Sequence, residues 1–494
     1  MPSTTDRRRL VRRLFASGKG SSRAVAGALA GLLASLLAAG CATEASGPRH
    51  VFLITVDTLR ADHLGLYGYP RATSEFLEEL AVDGVVFERA IAQWPATGSS
   101  FASIFTGLYP HTTGLTQGAA VELSGEYLTL AELLSAKGFA TAAVVSNGVL
   151  RRSMGWGQGF DEFLETWALA PEEPDDPVEY RQWLHAGRVN ELALPLLDRM
   201  RNEERVFVWL HYSDPHAPYY LPEGVENPFL GDPWDVGDEL AKIRRRVQAK
   251  ALGENRDLRY YVAHYDANIQ ITDRHIREAL GRARGLGLLD DALIVFTSDH
   301  GESLGEHGYF FGHGRLPYNA SAHVPLMIVR TRGGVARRVE NPVELVDLYP
   351  TLRSLVAPDL EAPGLEGDSL VPLLGTDAAA HREALTSFQL AFSQAGGGGP
   401  RTQFRSVQDG RWKLILRPER RAGKARPEKW RLFRLDQDPM ESRDLAQSEA
   451  AQVRRLRPLI EEWMKGSASG RRPRQPEGES EEVRKALRAL GYVD

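Results

Sequence analysis

The chain has 494 residues, of which 43% are hydrophobic and 25% are charged, a composition typical of a soluble folded protein with a full apolar core. Its formal net charge of −5 is small for this length, so the overall charge argues against a nucleic acid as a partner. The 47 glycines and 28 prolines indicate a structure with many loops rather than a disordered chain.

The first forty residues are typical of an export signal. The basic stretch Arg7 to Arg13 precedes an apolar run of small residues that ends in "LAAGC", where Cys41 is the only cysteine of the chain. This ending resembles a bacterial lipobox, which predicts a lipoprotein-type signal over residues 1–40, a lipidated Cys41 and a tether over 41–49. We therefore expect a protein anchored by lipid to a membrane of the bacterial cell envelope, on its exported face. An ordinary signal peptide with an incidental cysteine, or an uncleaved anchor helix, remains the alternative.

Strand and helix patterns alternate from His50 onward. In chain order, the sequence predicts a strand in "HVFLITVDT", a helix over residues 73–90 and a helix followed by a strand over 129–147. It then predicts a strand in "RVFVWLHYSDPH", a polar helical region over 237–284, and strands in "DALIVFTSDHGE" and "AHVPLMIVR". This alternation favours an α/β fold with a mostly parallel, mixed central sheet between layers of helices.

Polar side chains follow the carboxyl ends of several predicted strands, and they are Asp57, Asn147, Asp214, His216, Asp299 and His300. Ligands of open α/β sheets bind at that edge. An aspartate after a strand most often caps a turn, but six such residues at one edge indicate a site. The adjacent Asp299 and His300, together with Asp57 from another strand, could bind one divalent cation.

Several stretches of the chain share motifs with one known family. They are "VFLITVDTLRADHLGLYGYPRATSEFLEELAVDGVVFERA", "FASIFTGLYPHTTGL", "HYSDPHAPY", "TSDHGESLGEHGYFFGHG" and "HVPLMIVR", with "RSVQDGRWKLIL", "LFRLDQDPMESRDLA" and "ALRALGYV" nearer the C-terminus. Together they resemble the sulfatase family of the alkaline phosphatase superfamily. The resemblance implies a catalytic α/β domain over residues 50–375 and a small C-terminal α+β subdomain over 376–465. Residues 466–494 are expected to form a spacer and a terminal helix.

The family signature departs from its usual form here. Counting back from Thr106-Gly107 places Thr97 where sulfatases carry the Cys or Ser that becomes formylglycine, and Phe101 where they carry arginine. Threonine is not a known substrate for that conversion, so the sequence resembles instead the superfamily's phosphodiesterases, phosphonate hydrolases and phospho-group transferases. We expect Thr97 to attack the ester directly, activated by a metal and by the N-terminus of a helix beginning near Ser99. The alternative is that Thr97 only caps that helix.

The resemblance also implies the remaining site residues. Asp57, Thr97, Asp299 and His300 are expected to bind one divalent metal ion, and no organic cofactor is expected. Because His300 replaces an asparagine of the family and Thr58 replaces a second aspartate, zinc or manganese is favoured over calcium, with magnesium also open.

Outside the ligand set, His216 is expected to act as a catalytic and substrate-binding residue, as the histidine of the family's "DPHAPY" does. The further substrate-binding candidates are Asn147, His313 and Arg315, of which His313 and Arg315 lie near the place of the family's lysine.

Three functions follow from these residues. The first is a metal-dependent hydrolase of phosphate or phosphonate esters, with transfer of a phospho group also open. The second is a sulfuric ester hydrolase that works without formylglycine derived from cysteine. The third is a non-catalytic protein that binds envelope glycans or lipids. An anionic ester is the expected ligand of the first two, and the oligomeric state is left open.

Overall fold

The computed structural model describes residues 47–116, 122–169, 184–231, 252–253, 257–360, 362, 364–377, 380–381, 383, 390–396, 403–418, 420–421, 424–425 and 429–466. The predicted signal segment, Cys41 and most of the predicted terminal spacer lie outside these residues.

The strands of the larger part of the chain, in chain order, are β1 (His50–Val56), β2 (Gly84–Ile91), β3 (Ala140–Val145), β4 (Glu162–Glu165), β5 (Val206–Tyr212), β6 (Ala292–Thr297), β7 (Ser303–Leu304), β8 (Phe310–Gly312), β9 (His323–Arg330) and β10 (Arg337–Glu344). Its helices are α1 (Glu75–Ala81), α2 (Thr97–Thr106), α3 (Pro110–Thr113), α4 (Leu130–Ala136), α5 (Ala186–Met200), α6 (Leu258–Gly285), α7 (Asn319–Ala322), α8 (Leu348–Val356) and α9 (Val371–Leu374).

Eight of these strands form one sheet in the order β10-β2-β9-β6-β1-β5-β3-β4. Neighbouring strands are parallel except where β9 pairs with β2 and β6 in the antiparallel sense. The predicted mostly parallel, mixed sheet is therefore confirmed. In the centre of the sheet Thr55 of β1 lies opposite both His211 of β5 and Thr297 of β6, so these three strands end at one edge.

Helices cover both faces of this sheet because its central strands are apolar on both sides. In β1, Val51 and Leu53 point into a core shared with α2, α4 and α8. Phe52 and Ile54 point into the opposite core, which α1, α5 and α6 complete. Complete burial of such side chains contributes roughly 1.5–3 kcal/mol each.

The predicted helix over residues 73–90 is wrong in its second half. The helix ends at Ala81, and Gly84–Ile91 form β2 between β9 and β10. The run "GVVF" holds two adjacent β-branched valines and a phenylalanine, which fit a pleated surface better than a helix. Strands β4 and β10 were not predicted either. The predicted strands that end before Asp57, Asn147, Asp214 and Asp299 are all present.

A second, smaller sheet follows in the chain. It is antiparallel in the order β11-β12-β13-β16, with a two-stranded hairpin β14-β15 beside it, and its strands are β11 (Leu390–Ala395), β12 (Phe404–Asp409), β13 (Trp412–Arg417), β14 (Arg420–Arg421), β15 (Lys424–Ala425) and β16 (Lys429–Arg434). Helix α10 (Ala450–Gly466) packs against it through Leu456 and Ile460. The expected small C-terminal α+β unit is confirmed, while its limits at residues 376 and 465 stay a prediction.

The small sheet contacts the segments that flank the edge of the large sheet. Gln394 of β11 donates its backbone N–H to the carbonyl of Gln93, at 2.8 Å, and Gly396 donates to the carbonyl of Gly314, at 2.7 Å. A buried ion pair between Lys413 and Glu441, at 2.8 Å, contacts Asn319 of the larger part, because Lys413 Nζ donates to Asn319 Oδ1 and Glu441 accepts from the backbone N–H of Asn319. One strand therefore contacts both the segment before α2 and the segment after β8.

Candidate active site

Three buried ionisable side chains converge where β1 and β6 end. Asp57 follows β1, and Asp299 and His300 follow β6, and each of the three is 0% exposed. One ligand atom from each lies within 4.8 Å of the others, which makes these residues a candidate metal-binding group. The structure therefore brings together the three residues that the strand-end argument grouped, and their role as metal ligands stays a prediction.

The donor chemistry of this group fits a divalent cation. His300 Nδ1 donates to the carbonyl of Gly301, at 3.0 Å, so its Nε2 carries the lone pair. That Nε2 lies 3.4 Å from Asp299 Oδ2 and 3.8 Å from Asp57 Oδ1. Ligands that share one ion at bond lengths of roughly 2.0–2.3 Å lie at comparable separations. Two carboxylates and one unprotonated imidazole nitrogen therefore suit one cation.

Burial controls the protonation of the group. Desolvation raises the pKa of Asp299 to about 7, against hydrogen bonds from the backbone N–H groups of His300 and Thr58. Burial, together with the neighbouring His313, lowers the pKa of His300 to about 4, so its imidazole is neutral near pH 7. A bound cation would stabilise the ionised carboxylates that burial disfavours.

Thr97 is the first residue of α2, and its hydroxyl reaches this group. Its Oγ1 lies 3.3 Å from His300 Nε2, and the side chain is 1% exposed. The N-cap of α2 is Ala96, which has extended backbone angles, so Thr97 does not occupy the capping position. The helix also begins two residues before the Ser99 start that we expected. Ser100 Oγ donates to the carbonyl of Asp299, at 2.6 Å, and joins α2 to the segment that carries Asp299 and His300.

The residues that depart from the sulfatase signature have structural roles of their own. Phe101 is completely buried, with its ring centroid 5.1 Å from that of Trp209 and 5.0 Å from that of His211. Thr58, at the position of a second aspartate in the family, has a φ of +58°, which a β-branched residue adopts only at a cost. Its backbone N–H faces Asp299 Oδ1, at 3.3 Å. Neither position supplies a charged side chain to the site.

One further histidine, His313, borders the group, and a second, His216, lies next to it. The ring of His313 lies 4.4 Å from that of His300 and 5.1 Å from that of His216, measured between centroids. His216 Nδ1 donates to the carbonyl of Ala217, at 2.7 Å, and this hydrogen bond orients the ring so that Nε2 points away from that carbonyl. Both histidines are buried, at 0% and 7% exposure. The structure therefore places His313 beside His300 and His216 beside His313, and the catalytic and substrate-binding roles of both stay predictions.

The other two substrate-binding candidates differ in position. Asn147 Nδ2 donates to Asp57 Oδ2, and its Oδ1 accepts from the backbone N–H of Val149, at 2.9 Å. Its amide is thus oriented against the carboxylate of a candidate metal ligand. Arg315 is exposed, and its guanidinium lies 5.9 Å from the ring centroid of Tyr309. The structure brings Asn147 to the group and leaves Arg315 at the surface, and the roles of both in substrate binding stay predictions.

Two residues at the site were missed in the sequence. Glu302 has a completely buried side chain, and its Oε1 lies 3.3 Å from His313 Nδ1. His211 is completely buried, and its Nε2 lies 3.9 Å from Asp57 Oδ2. A histidine inside an otherwise apolar strand, and a glutamate two residues after His300, were the available signals. By contrast, His307 stacks on Tyr318 and His323 donates to the carbonyl of Glu88, so both have contacts elsewhere.

Within the residues that the structure describes, we find no helix that has both the length and the apolar character needed to cross a membrane. The predicted lipidation site Cys41 lies outside those residues, and its modification stays a prediction.

The sequence of the chain matches a known protein family. Residues 49–357 match the sequence model of the Sulfatase family. The chain is 27% identical over 402 residues to an ulvan-active sulfatase of Formosa agariphila, covering 74% of this chain and 72% of that protein. It is 30% identical over 436 residues to arylsulfatase K of Xenopus laevis, covering 78% and 77%.

A solved structure has the same fold. The phosphonate monoester hydrolase of Agrobacterium radiobacter superposes with a TM-score of 0.65 at 20% identity, covering 85% of this chain and 95% of that one. Together with the buried Asp and His group, these findings favour the enzymatic interpretations of the sequence over a non-catalytic binding protein. The chain belongs to the sulfatase family of the alkaline phosphatase superfamily, and it is a hydrolase of sulfuric or phosphoric esters.

Proposed function

We propose that this protein hydrolyses phosphate or phosphonate esters in the bacterial cell envelope, with Thr97 as its nucleophile. The observation that carries the proposal is the position of Thr97 Oγ1, 3.3 Å from His300 Nε2 at the N-terminus of α2. A threonine hydroxyl cannot become formylglycine through the cysteine or serine route of the family. It can, however, form a phosphoester directly.

Asp57, Asp299, His300 and Thr97 would hold one divalent cation, in keeping with the donor set described above. When bound, the cation supplies Lewis-acid charge beside the Thr97 hydroxyl and the oxygens of the ester. The imidazole nitrogen favours zinc or manganese over calcium as the ion.

In the first step Thr97 Oγ1 gives its proton to the carboxylate of Asp299, to which its hydroxyl donates a hydrogen bond, and forms a bond to phosphorus. The bond from phosphorus to the leaving alcohol oxygen breaks, and that oxygen takes a proton from His313, whose ring lies beside His300, or from His216, whose ring lies beside His313. The backbone N–H groups at the N-terminus of α2 would donate to the developing anionic oxygens of an ester bound at Thr97, which the helix dipole would also stabilise.

In the second step water attacks the phosphorus of the phosphothreonine. The bond between phosphorus and Thr97 Oγ1 breaks, Oγ1 regains its proton from Asp299, and phosphate or phosphonate leaves. An acceptor alcohol in place of water would give transfer of the phospho group instead. The same histidines that protonated the leaving alcohol are placed to take the proton of the attacking water.

The cell-envelope location rests on the N-terminal sequence. The basic stretch, the apolar run and the "LAAGC" ending support export and attachment through a lipid on Cys41. Labelling of the expressed protein with a fatty acid analogue, and loss of the label in Cys41→Ser, would test this part of the proposal.

Sulfuric ester hydrolysis is the second candidate, and a specific observation favours it. The curated relatives named above are sulfatases, whereas the phosphonate monoester hydrolase is similar at the level of fold. Phe101 and Thr97 at the signature positions count against it, because the cysteine or serine and the arginine of that signature are both missing.

The deciding experiment compares four substrates with the purified protein and several divalent metals. These are an aryl sulfate, an aryl phosphate monoester, an aryl phosphate diester and an aryl phosphonate monoester. We expect the highest kcat/KM on one of the three phosphorus esters. A higher kcat/KM on the aryl sulfate would reverse the ranking of the two candidates. Trapping of phosphorus on Thr97, detected by mass spectrometry after acid quenching, would support the covalent step.

A further inference from the structure

His211 is a buried histidine that the proposed mechanism does not use. It is the penultimate residue of β5 and lies opposite Thr55 of β1, and its side chain is 0% exposed. The other residues of β5 are mostly apolar. Burial of a polar ring among them costs free energy unless its nitrogens make polar contacts.

The ring of His211 is held in one orientation by aromatic side chains. Phe101 contacts it edge-on, with centroids 5.0 Å apart and ring planes at 87°. Trp209 lies 6.0 Å away, tilted by 39°. Because Phe101 and Trp209 are themselves completely buried, the ring has little freedom to turn.

A chain of hydrogen bonds indicates which of the two ring nitrogens of His211 carries the proton. Trp209 Nε1, which can only donate, lies 2.9 Å from Thr55 Oγ1. Thr55 Oγ1 has one proton of its own, and its acceptors are His211 Nδ1 at 2.9 Å and the carbonyl of Leu210 at 3.5 Å. The shorter contact favours donation to Nδ1. With Nδ1 accepting from Thr55 Oγ1, the neutral imidazole carries its proton on Nε2, although a further contact of the ring with the backbone carbonyl of Thr55 competes for that proton.

That Nε2–H faces the outer oxygen of a candidate metal ligand. It lies 3.9 Å from Asp57 Oδ2, and no hydrogen-bond partner for it is found among the described residues. Asn147 donates to the same oxygen from another side. The inner oxygen, Oδ1, lies 3.8 Å from His300 Nε2.

We propose that His211 is a positioning residue for Asp57. Its Nε2–H and the amide of Asn147 both attract Oδ2, and together they keep Oδ1 directed toward Asp299 and His300. Donors behind a metal ligand fix its orientation in this way, and their loss typically weakens metal affinity about 10- to 100-fold. The inference rests on the cation site of the proposed function.

The test is cation binding by the metal-free full chain, measured by calorimetric titration with Mn²⁺ or Zn²⁺. His211→Phe keeps a ring and removes both nitrogens, so we expect its Kd to rise about 10- to 100-fold. His211→Gln places an amide N–H near the position of Nε2, and we expect it to recover most of the affinity. Thermal unfolding of the metal-free variants is measured alongside, so that loss of folding is recognised directly.

Val208→Ala is the matched control, because Val208 lies in β5 on the opposite face, in the other core. It should lower the unfolding temperature while leaving the Kd unchanged. If His211→Phe has the Kd of the wild type, the inference about His211 is wrong while the cation site itself stands. The same holds if His211→Phe and His211→Gln lose equal amounts of cation affinity. If the wild-type chain binds neither ion, the cation site fails and the inference fails with it. Should His211→Phe not fold, Thr55→Val removes the donor to Nδ1, and unchanged affinity in that variant would decide against the inference.

Discussion

Thr97 Oγ1 and His300 Nε2 lie 3.3 Å apart although 203 positions separate the two residues in the chain. The first begins α2 and the second follows β6, and Ser100 holds these elements together by donating to the carbonyl of Asp299. The contact is therefore a product of the tertiary fold. It makes Thr97 the most direct place to test the proposed chemistry.

Thr97→Ala removes the proposed nucleophile. We expect kcat to fall by about 10³-fold or more with little change in unfolding temperature, because the side chain is small and is not the cap of α2. Thr97→Ser should retain part of the activity. Steady-state kinetics on the best ester, with thermal unfolding of each variant, make the comparison.

Ser103→Ala is the control for that experiment. It removes a buried hydroxyl from the same helix that has no hydrogen-bond partner among the described residues. Its kcat should match that of the wild type. Near-normal turnover in Thr97→Ala would exclude Thr97 as the nucleophile.

Removal of the divalent cation should both inactivate and destabilise the protein. A ligand at 100 times its Kd stabilises the folded state by about 2.7 kcal/mol, so a chelator should lower the unfolding temperature by several degrees. Asp57→Asn should abolish this dependence, since it removes one of two buried carboxylates from the group. A chelator-treated protein with unchanged activity and unfolding temperature would contradict a metal-dependent mechanism.

Phe101→Arg, which introduces the arginine of the sulfatase signature, should destabilise the folded protein. Phe101 is surrounded by Trp209, His211, Phe105 and Trp156, so Phe101→Arg would bury a charge among rings. We expect the free energy of unfolding to fall by about 3–5 kcal/mol, measured with urea. Phe101→Leu should cost clearly less. A stable Phe101→Arg protein would show that this core tolerates the sulfatase arrangement.

Stability should fall as the pH rises above about 5, because Glu344 and Asp347 are buried side by side. Burial and the neighbouring carboxylate raise the pKa of Glu344, and burial raises that of Asp347. The folded chain therefore holds a proton that the unfolded chain loses from about pH 4–5 upward. Each such proton lowers the free energy of unfolding by about 1.4 kcal/mol per pH unit until the folded pKa is passed.

Glu344→Gln should make this decline shallower. The carboxylate accepts from Tyr109, Gln93 and the backbone N–H of Phe392, and a glutamine can keep these contacts by donating to Tyr109 Oη. Urea unfolding at pH 5, 6, 7 and 8 gives the slope. Glu340→Gln, an exposed residue of the same strand, should leave the slope unchanged. An equally steep decline in Glu344→Gln would assign the pH dependence to other groups.

The sequence predicted those parts of the site that follow strand ends. Asp57, Asp299 and His300 could be placed together because an apolar run before each predicts a buried strand, and parallel strands end at one edge. His211 could not, because it lies inside such a run, and only the pairing of β5 with β1 brings it to Asp57. Likewise, β2 was assigned to a helix because its pairing with β9 and β10 is not visible in local periodicity.

The contacts of Gln394 with Gln93 and of Gly396 with Gly314 have a practical consequence. The short segment from Gln394 to Gly396 holds the residues before Thr97 and the loop of His313 at the same time, through these two backbone hydrogen bonds. A shortened version that stopped before Leu390 would lose both hydrogen bonds in a single cut, even though every residue of the proposed chemistry would still be encoded. Engineering of this enzyme should therefore keep the two sheets on one polypeptide.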